Sequence, residues 1–220
     1  MREIVLDTET TGLDPDQGHR IVEVACIELD NHLPTGDSFH SYVNPQRDMP
    51  EDARRIHGLS EDFLRQHPSF TEIAEALVAF LGDSPLIIHN AAFDLKFLNA
   101  ELAAVDLEPL AADRAVDTLD LARRKFPGAQ NNLDALCRRF AIDNSARTRH
   151  GALLDAELLA EVYLELIGGR QPDLALARAR RPRRRQATIA RPPRAHQPDD
   201  EEQAAHEAFI ATLNDPIWTR

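Results

Sequence analysis

Asp7 and Glu9 stand two residues apart in a β-rich run, Glu3-Ile4-Val5-Leu6-Asp7-Thr8-Glu9. On a strand that spacing puts both side chains on one face, roughly 6–7 Å apart. Asp94 comes soon after a short apolar run, Leu86-Ile87-Ile88, at or near a helix start. That position, just beyond a strand's C-terminal end, is where ligands of α/β sheets gather. Asp155 lies on the apolar stripe of its own helix, because Leu158, Leu159, Val162 and Leu166 follow it by three, four, seven and eleven residues. A carboxylate on a buried face is costly without a cation. The only two lysines, Lys96 and Lys125, are not evident partners, so a metal ion is the natural answer. His150 precedes Asp155 by five residues, about 140° round a continuous helix, and would not share its face. Gly151 between them allows His150 to stand on a loop at the helix start.

Taken singly, each group has a plainer reading. A lone D-x-E is a strand end running into a polar loop, Asp94 is a helix-start acid favoured by the macrodipole, and a His before Gly is a loop residue. Together, four acids from three elements and one imidazole form a coherent chemical set. Hard divalent ions prefer carboxylate and water oxygens, and two of them ~3.5–4 Å apart clamp the attacking and leaving oxygens of phosphoryl transfer. Imidazole suits the remaining task, taking a proton from water near neutral pH.

These groups need a scaffold. β-rich runs cover residues 3–8 and 21–29, with a turn at Thr11-Gly12-Leu13-Asp14-Pro15 between them and a third strand over 38–43. Ser69 with Glu72 opens a capped amphipathic helix over 69–81, and residues 86–88 form a short, fully apolar strand of the central kind. Helical periodicity covers 93–104, 119–125, 133–140 and 153–167. This order predicts an α/β domain over residues 1–169, a mixed sheet with helices on its faces. Cys26 and Cys137 sit in apolar-periodic segments and read as reduced core residues.

Composition changes at Gly168-Gly169. Residues 170–198 hold nine Arg and one acid, Asp173, a local charge of +8 that leaves −20 on the remainder of a chain whose net charge is −12. This stretch reads as a flexible linker. An acidic body of that kind cannot track a long phosphate backbone unaided, so it would grip a chain end through bound cations or be tethered by a partner. Residues 199–220 recover helical character after an acidic start, with His206, Phe209, Ile210 and Leu213 on one face and Ile217-Trp218 near the end. No apolar run approaches the ~20 residues that span a bilayer. No secretory pattern is visible, so the expected location is the cytoplasm.

Asp7-Thr8-Glu9-Thr10-Thr11-Gly12, His89-Asn90-Ala91-Ala92-Phe93-Asp94 and His150-Gly151-Ala152-Leu153-Leu154-Asp155 resemble the three motifs of the DEDDh family of 3′→5′ exonucleases, in order and at fitting separations. Ile56-His57-Gly58-Leu59, Phe126-Pro127-Gly128 and Asn132-Leu133-Asp134-Ala135-Leu136-Cys137 are similar to the family's epsilon group, the proofreading subunits of bacterial DNA polymerase III. The resemblance implies an RNase H-like sheet on which Asp7, Glu9, Asp94 and Asp155 bind two Mg²⁺ or Mn²⁺ ions. It makes His150 the general base and a nucleoside 5′-monophosphate, cut from a DNA 3′ end, the product. It also implies that Asp52 and His57 hold the terminal nucleotide, alongside Asp7, Glu9 and Asp155, with Thr10 and Leu13 near its base. Glu51 could take the place of Asp52, and a polar loop explains both Asp52 and His57 equally. Asp117 is similar to a family feature that a helix cap also explains.

In the tail, Gln171-Pro172-Asp173-Leu174-Ala175-Leu176 resembles the peptide with which such subunits contact the sliding clamp, and 199–220 is similar to the segment that anchors to the polymerase alpha subunit. A small accessory subunit on the exonuclease domain is a further implied partner. Two other readings stand beside this one. The chain could be a non-catalytic tether between polymerase and clamp, or a free-standing DNA exonuclease or ribonuclease of the same family. An intact set of four acids and His150 argues against the first, and an anchor-like tail against the second.

Overall fold

The computed structural model describes residues 1–145, 147, 149–169 and 197–214. Five strands form one mixed sheet in the order β3-β2-β1-β4-β5, with β1 at Arg2–Thr10, β2 at Ile21–Asp30, β3 at Leu33–Tyr42, β4 at Leu86–Ile88 and β5 at Ala115–Asp117. β2 runs antiparallel to both β1 and β3, whereas β4 is parallel to β1 and β5. The C-terminal ends of β1 and β4 therefore open on the same edge of the sheet, the edge where Glu9 ends one strand and the turn into Asp94 ends the other.

Strand alternation divides the core into two layers. Ile4 and Leu6 of β1 pack with Val24, Phe70, Leu77 and Phe97, on the side covered by α3 (Phe70–Leu81) and α4 (Ala91–Ala103). Val5 points the other way, with Ala25, Ile27 and Ile87, against α6 (Leu133–Phe140) and α7 (Ala152–Leu166). Asp7 and Glu9 continue the Val5 parity, so the period of two delivers both acids to the face beneath α7, the helix that carries Asp155. On the other side a buried pair secures α4 to β2: Glu101 receives Arg20 Nε and Nη2 at 2.7 and 2.6 Å and the Ile21 amide at 3.2 Å. Cys26 and Cys137 are buried and unpaired, as expected.

Helix α3 begins with the expected capping box, Ser69 with Glu72. Three elements were not expected. Helix α1 (Glu51–His57) occupies what reads as a polar loop, because only Ala53 and His57 are buried and no apolar stripe announces it; Gly58 closes it at φ 80°. The one-turn α2 (Glu61–Leu64) and the three-residue β5 are too short for periodicity to register. β3 starts at Leu33, five residues earlier than expected, since Leu33-Pro34-Thr35-Gly36-Asp37 is an exposed edge without alternation, where Pro is tolerated. α5 (Thr118–Lys125) completes the domain.

A second unit contains α8 (Asp200–Ile210), capped by an Asp199–Glu202 box, with Phe209 and Leu213 exposed. The linker over 170–196, its clamp-like peptide 171–176, and Ile217-Trp218 lie outside the described residues. No helix among the described residues is long and apolar enough to cross a membrane.

Candidate active site

Asp7, Glu9, Asp94, His150 and Asp155 all line one cleft of about 380 Å³ at the common edge of β1 and β4. Glu9, His150 and Asp155 present donor atoms within 4.8 Å of one another. Asp94 is held from behind. Thr8, on the opposite parity of β1, donates its hydroxyl to Asp94 Oδ1 at 2.7 Å. Asp117 accepts the amides of Asn90 and Ala91 at 3.1 and 3.2 Å while capping α5 through the Leu119 amide at 2.8 Å. Asp117 is thus the expected cap, and it also fastens the start of α4, three residues before Asp94. Asn90 takes the left-handed conformation, φ 68°, that turns β4 into that helix.

Crowding decides the protonation of these acids. Burial first, and then the neighbouring charges of Asp94, Glu9 and Asp155, hold the Asp7 carboxyl well above the usual range. Burial, then Asp155 and Glu23, push Glu9 up to about 8. Burial outweighs the Thr8 hydrogen bond and lifts Asp94 to about 7. Asp155 goes the other way: burial would raise it, but hydrogen bonds from Arg147 and His150 hold it below its ordinary value. The site therefore lacks positive charge for three of its four carboxyls. All-carboxylate donors short of a counter-charge fit hard divalent cations.

The expectation that Asp155 has no protein cation is corrected. Arg147 reaches it with Nε at 2.5 Å and Nη2 at 2.6 Å, and bridges to Asp134 with Nη1 at 2.8 Å. A search confined to lysines passes over this guanidinium, although it stands only three residues before His150. Glu23 is the second residue that the sequence reading missed. It lies opposite Glu9 in the β1–β2 register, is 3% exposed, and accepts the Ala152 amide at 3.1 Å at the start of α7. His40 Nε2 meets its other oxygen at 2.8 Å. An acid inside the apolar run Ile21-Val22-Glu23-Val24-Ala25-Cys26 was the available signal.

A second cleft of about 510 Å³ adjoins the first, sharing Thr8, Glu9 and Phe93. Thr10, Leu13, Asp52 and His57 all line it, and Glu51 does not. Thr10 spends its hydroxyl on the Gly12 carbonyl at 2.6 Å, shaping the turn. Leu13 is 83% exposed and Ile56 51%, so with Phe93 they give an apolar lining to a slot of nucleotide size. Asp52 is exposed and paired with Arg55 at 2.8 Å. His57 is buried, and its Nδ1 accepts the Leu59 amide at 3.0 Å, which leaves the proton on Nε2. Among the described residues that Nε2 has no partner. Burial depresses the His57 pKa and keeps the ring neutral, a donor awaiting an acceptor.

A sequence model described as Exonuclease matches residues 4–163. The chain is 60% identical over 174 residues to the DNA polymerase III subunit epsilon of Rickettsia felis, covering 78% of this chain and 76% of that protein. It is 42% identical over 224 residues to the Escherichia coli protein of the same name, covering 95% and 92%. Among solved structures, the nuclease domain of 3′hExo, a DEDDh family member bound to rAMP, matches with TM-score 0.66 and 21% identity over 76% of this chain and 91% of that one. An exonuclease I structure matches with TM-score 0.67 and 18% identity over 78% and 41%. The last two show the shared fold.

Proposed function

The chain belongs to the exonuclease family, in its group of DNA polymerase III epsilon subunits, and we propose on that premise how its residues divide the work of a proofreading 3′→5′ exonuclease. DEDDh exonucleases work with divalent metal ions. In this chain Asp7, Glu9, Asp94 and Asp155 are the ligands, and the ions are two, Mg²⁺ or Mn²⁺. When bound, such ions supply the charge that steadies the attacking and leaving oxygens of the phosphodiester. The observation that carries this reading is the shortage of positive charge in the cleft: Asp7, Glu9 and Asp94, crowded and held above their ordinary pKa range, line it with Asp155, which a guanidinium already holds.

His150 is the general base, half exposed at the cleft mouth on a backbone tied to α1 by its amide, 3.3 Å from the Ile56 carbonyl. The terminal nucleotide lies in the adjoining slot, its base near Thr10 and Leu13 and between Ile56 and Phe93. Asp52 and the His57 Nε2–H supply its polar contacts, and Asp7, Glu9 and Asp155 would stand at its phosphate, holding the ions that stabilise its charge. The product is a nucleoside 5′-monophosphate.

The chain acts within the polymerase III complex, on DNA. Its further contacts are part of the same proposal. Residues 199–220 anchor to the alpha subunit, with Phe209 and Leu213 among the apolar anchors, as helix-in-groove contacts require. Peptide 171–176 meets the sliding clamp, and a small accessory subunit sits on the exonuclease domain. Residues 1–169, 170–198 and 199–220 are the corresponding catalytic, linking and anchoring parts.

Matched sets of deoxy and ribo oligonucleotides test the substrate. Release of 5′-monophosphates should be fastest from single-stranded or mismatched DNA 3′ ends, because a frayed end costs less unpairing energy to deliver. Equal or faster trimming of the ribo strand would make the chain a ribonuclease of this family instead.

A further inference from the structure

We propose that Arg147 is a built-in stand-in for the metal, holding Asp155 in the free enzyme and passing to Asp134 when a divalent ion arrives. The inference rests on reading Asp155 as a metal ligand. The Arg147 side chain is only 7% exposed, and one guanidinium spends every nitrogen inside the cleft. Nε and Nη2 take both oxygens of Asp155, Nη1 takes Asp134 Oδ1 at 2.8 Å, and Nη2 also lies 2.8 Å from His150 Nδ1.

A guanidinium keeps its charge throughout the working pH range, so it can yield Asp155 only by moving. A divalent ion at Asp155 would face a positive charge at hydrogen-bond distance, and repulsion between the two favours the guanidinium's withdrawal from the carboxylate. Asp134 is the available destination. It stands in the first turn of α6, its side chain is 43% exposed, and it already holds one end of the guanidinium. Asn144 donates to the same Asp134 oxygen at 3.0 Å, so the acid is anchored in place for the transfer.

The exchange also concerns the base. His150 Nδ1 lies 2.8 Å from Arg147 Nη2 and 3.2 Å from Asp155 Oδ2, so the ring is seated against the same ion pair. Withdrawal of the guanidinium would therefore free the ring together with the carboxylate.

Mn²⁺ titration by calorimetry, with melting of the metal-free protein, tests this on the full chain. Arg147→Gln should bind Mn²⁺ about tenfold more tightly than wild type, because the ion no longer meets a fixed positive charge at Asp155. Its metal-free melting temperature should fall, because Asp155 is left buried and unpaired. Asp134→Asn should fold normally, being half exposed, and bind Mn²⁺ less tightly, because Arg147 has lost its second seat. Unchanged or weaker binding by Arg147→Gln overturns the stand-in role, and unchanged binding by Asp134→Asn overturns the transfer. If Arg147→Gln fails to fold, Asp134→Asn decides. Should the wild-type chain itself take up no Mn²⁺, the assignment of Asp155 as a ligand falls first.

Discussion

His150→Ala is expected to slow release of nucleotides from a single-stranded 3′ end by about 10²- to 10⁴-fold, the share of rate that a positioned base supplies. The fold should survive, because the side chain is 50% exposed and its contacts are with Arg147 and Asp155 rather than with the core. Its ring lies within 4.8 Å of donor atoms of Glu9 and Asp155, so a base and a metal ligand must be told apart. Mn²⁺ uptake makes the distinction: a base can be removed with uptake largely retained, whereas removing a ligand weakens it. Full turnover in the Ala variant would take His150 out of the chemistry, and loss of Mn²⁺ binding would recast it as a ligand.

The second large effect is on stability. In the absence of divalent ions, the melting temperature should fall as pH rises from 5 through 8. Glu9 titrates near 4.5 when unfolded and at about 8 in the fold, and Asp94 moves in the same direction, to about 7. A carboxyl whose folded pKa is raised contributes its stability fully below the unfolded value and loses it as pH climbs through the folded one. Each such group gives a slope of up to about 1.4 kcal/mol per pH unit inside that window. Asp155, held low, acts with the opposite sign and only in more acidic solution, outside the window. Mn²⁺ or Mg²⁺ should restore the melting temperature most at the alkaline end, where the acids have no proton to hold. Melting curves in a chelator at three pH values check this, and a flat or rising profile would refute it.

Much of the scaffold could be read from spacing. Alternation in β1 and β2, the apolar triplet of β4 and the helical stripes of α3, α4, α5, α6 and α7 all come from burial against a sheet, and burial leaves a period in the sequence. The five groups that line the first cleft were legible for a related reason: charged residues in apolar surroundings are conspicuous, and Asp155 on its Leu stripe is the plainest instance. α1 left no such mark. Its two buried positions do not make a stripe, and the Gly58 stop was the one local sign. β5 is three half-buried residues held by pairing to β4, a relation between distant segments that no local pattern carries. Arg147 escaped because its meaning comes from a partner eight residues away on another element. An arginine in a polar stretch is unremarkable until its carboxylate is found.

The place of β1 in the middle of the sheet has a consequence for how the site can fail. Neighbouring strands pair with it on both sides, and helices cover both its faces. Its amide hydrogens can exchange with solvent only when the whole domain opens. Between α6 and α7, by contrast, the described residues are tied to the domain by polar bonds, Arg147 to Asp134 and Asp155 and the His150 amide to the Ile56 carbonyl. Two of the four acids thus ride on the slowest-exchanging segment, while the imidazole stands outside the sheet on a connection held by these polar bonds. Heat or a mild denaturant that breaks those bonds would displace the proposed base while the carboxylates of β1 stay in place.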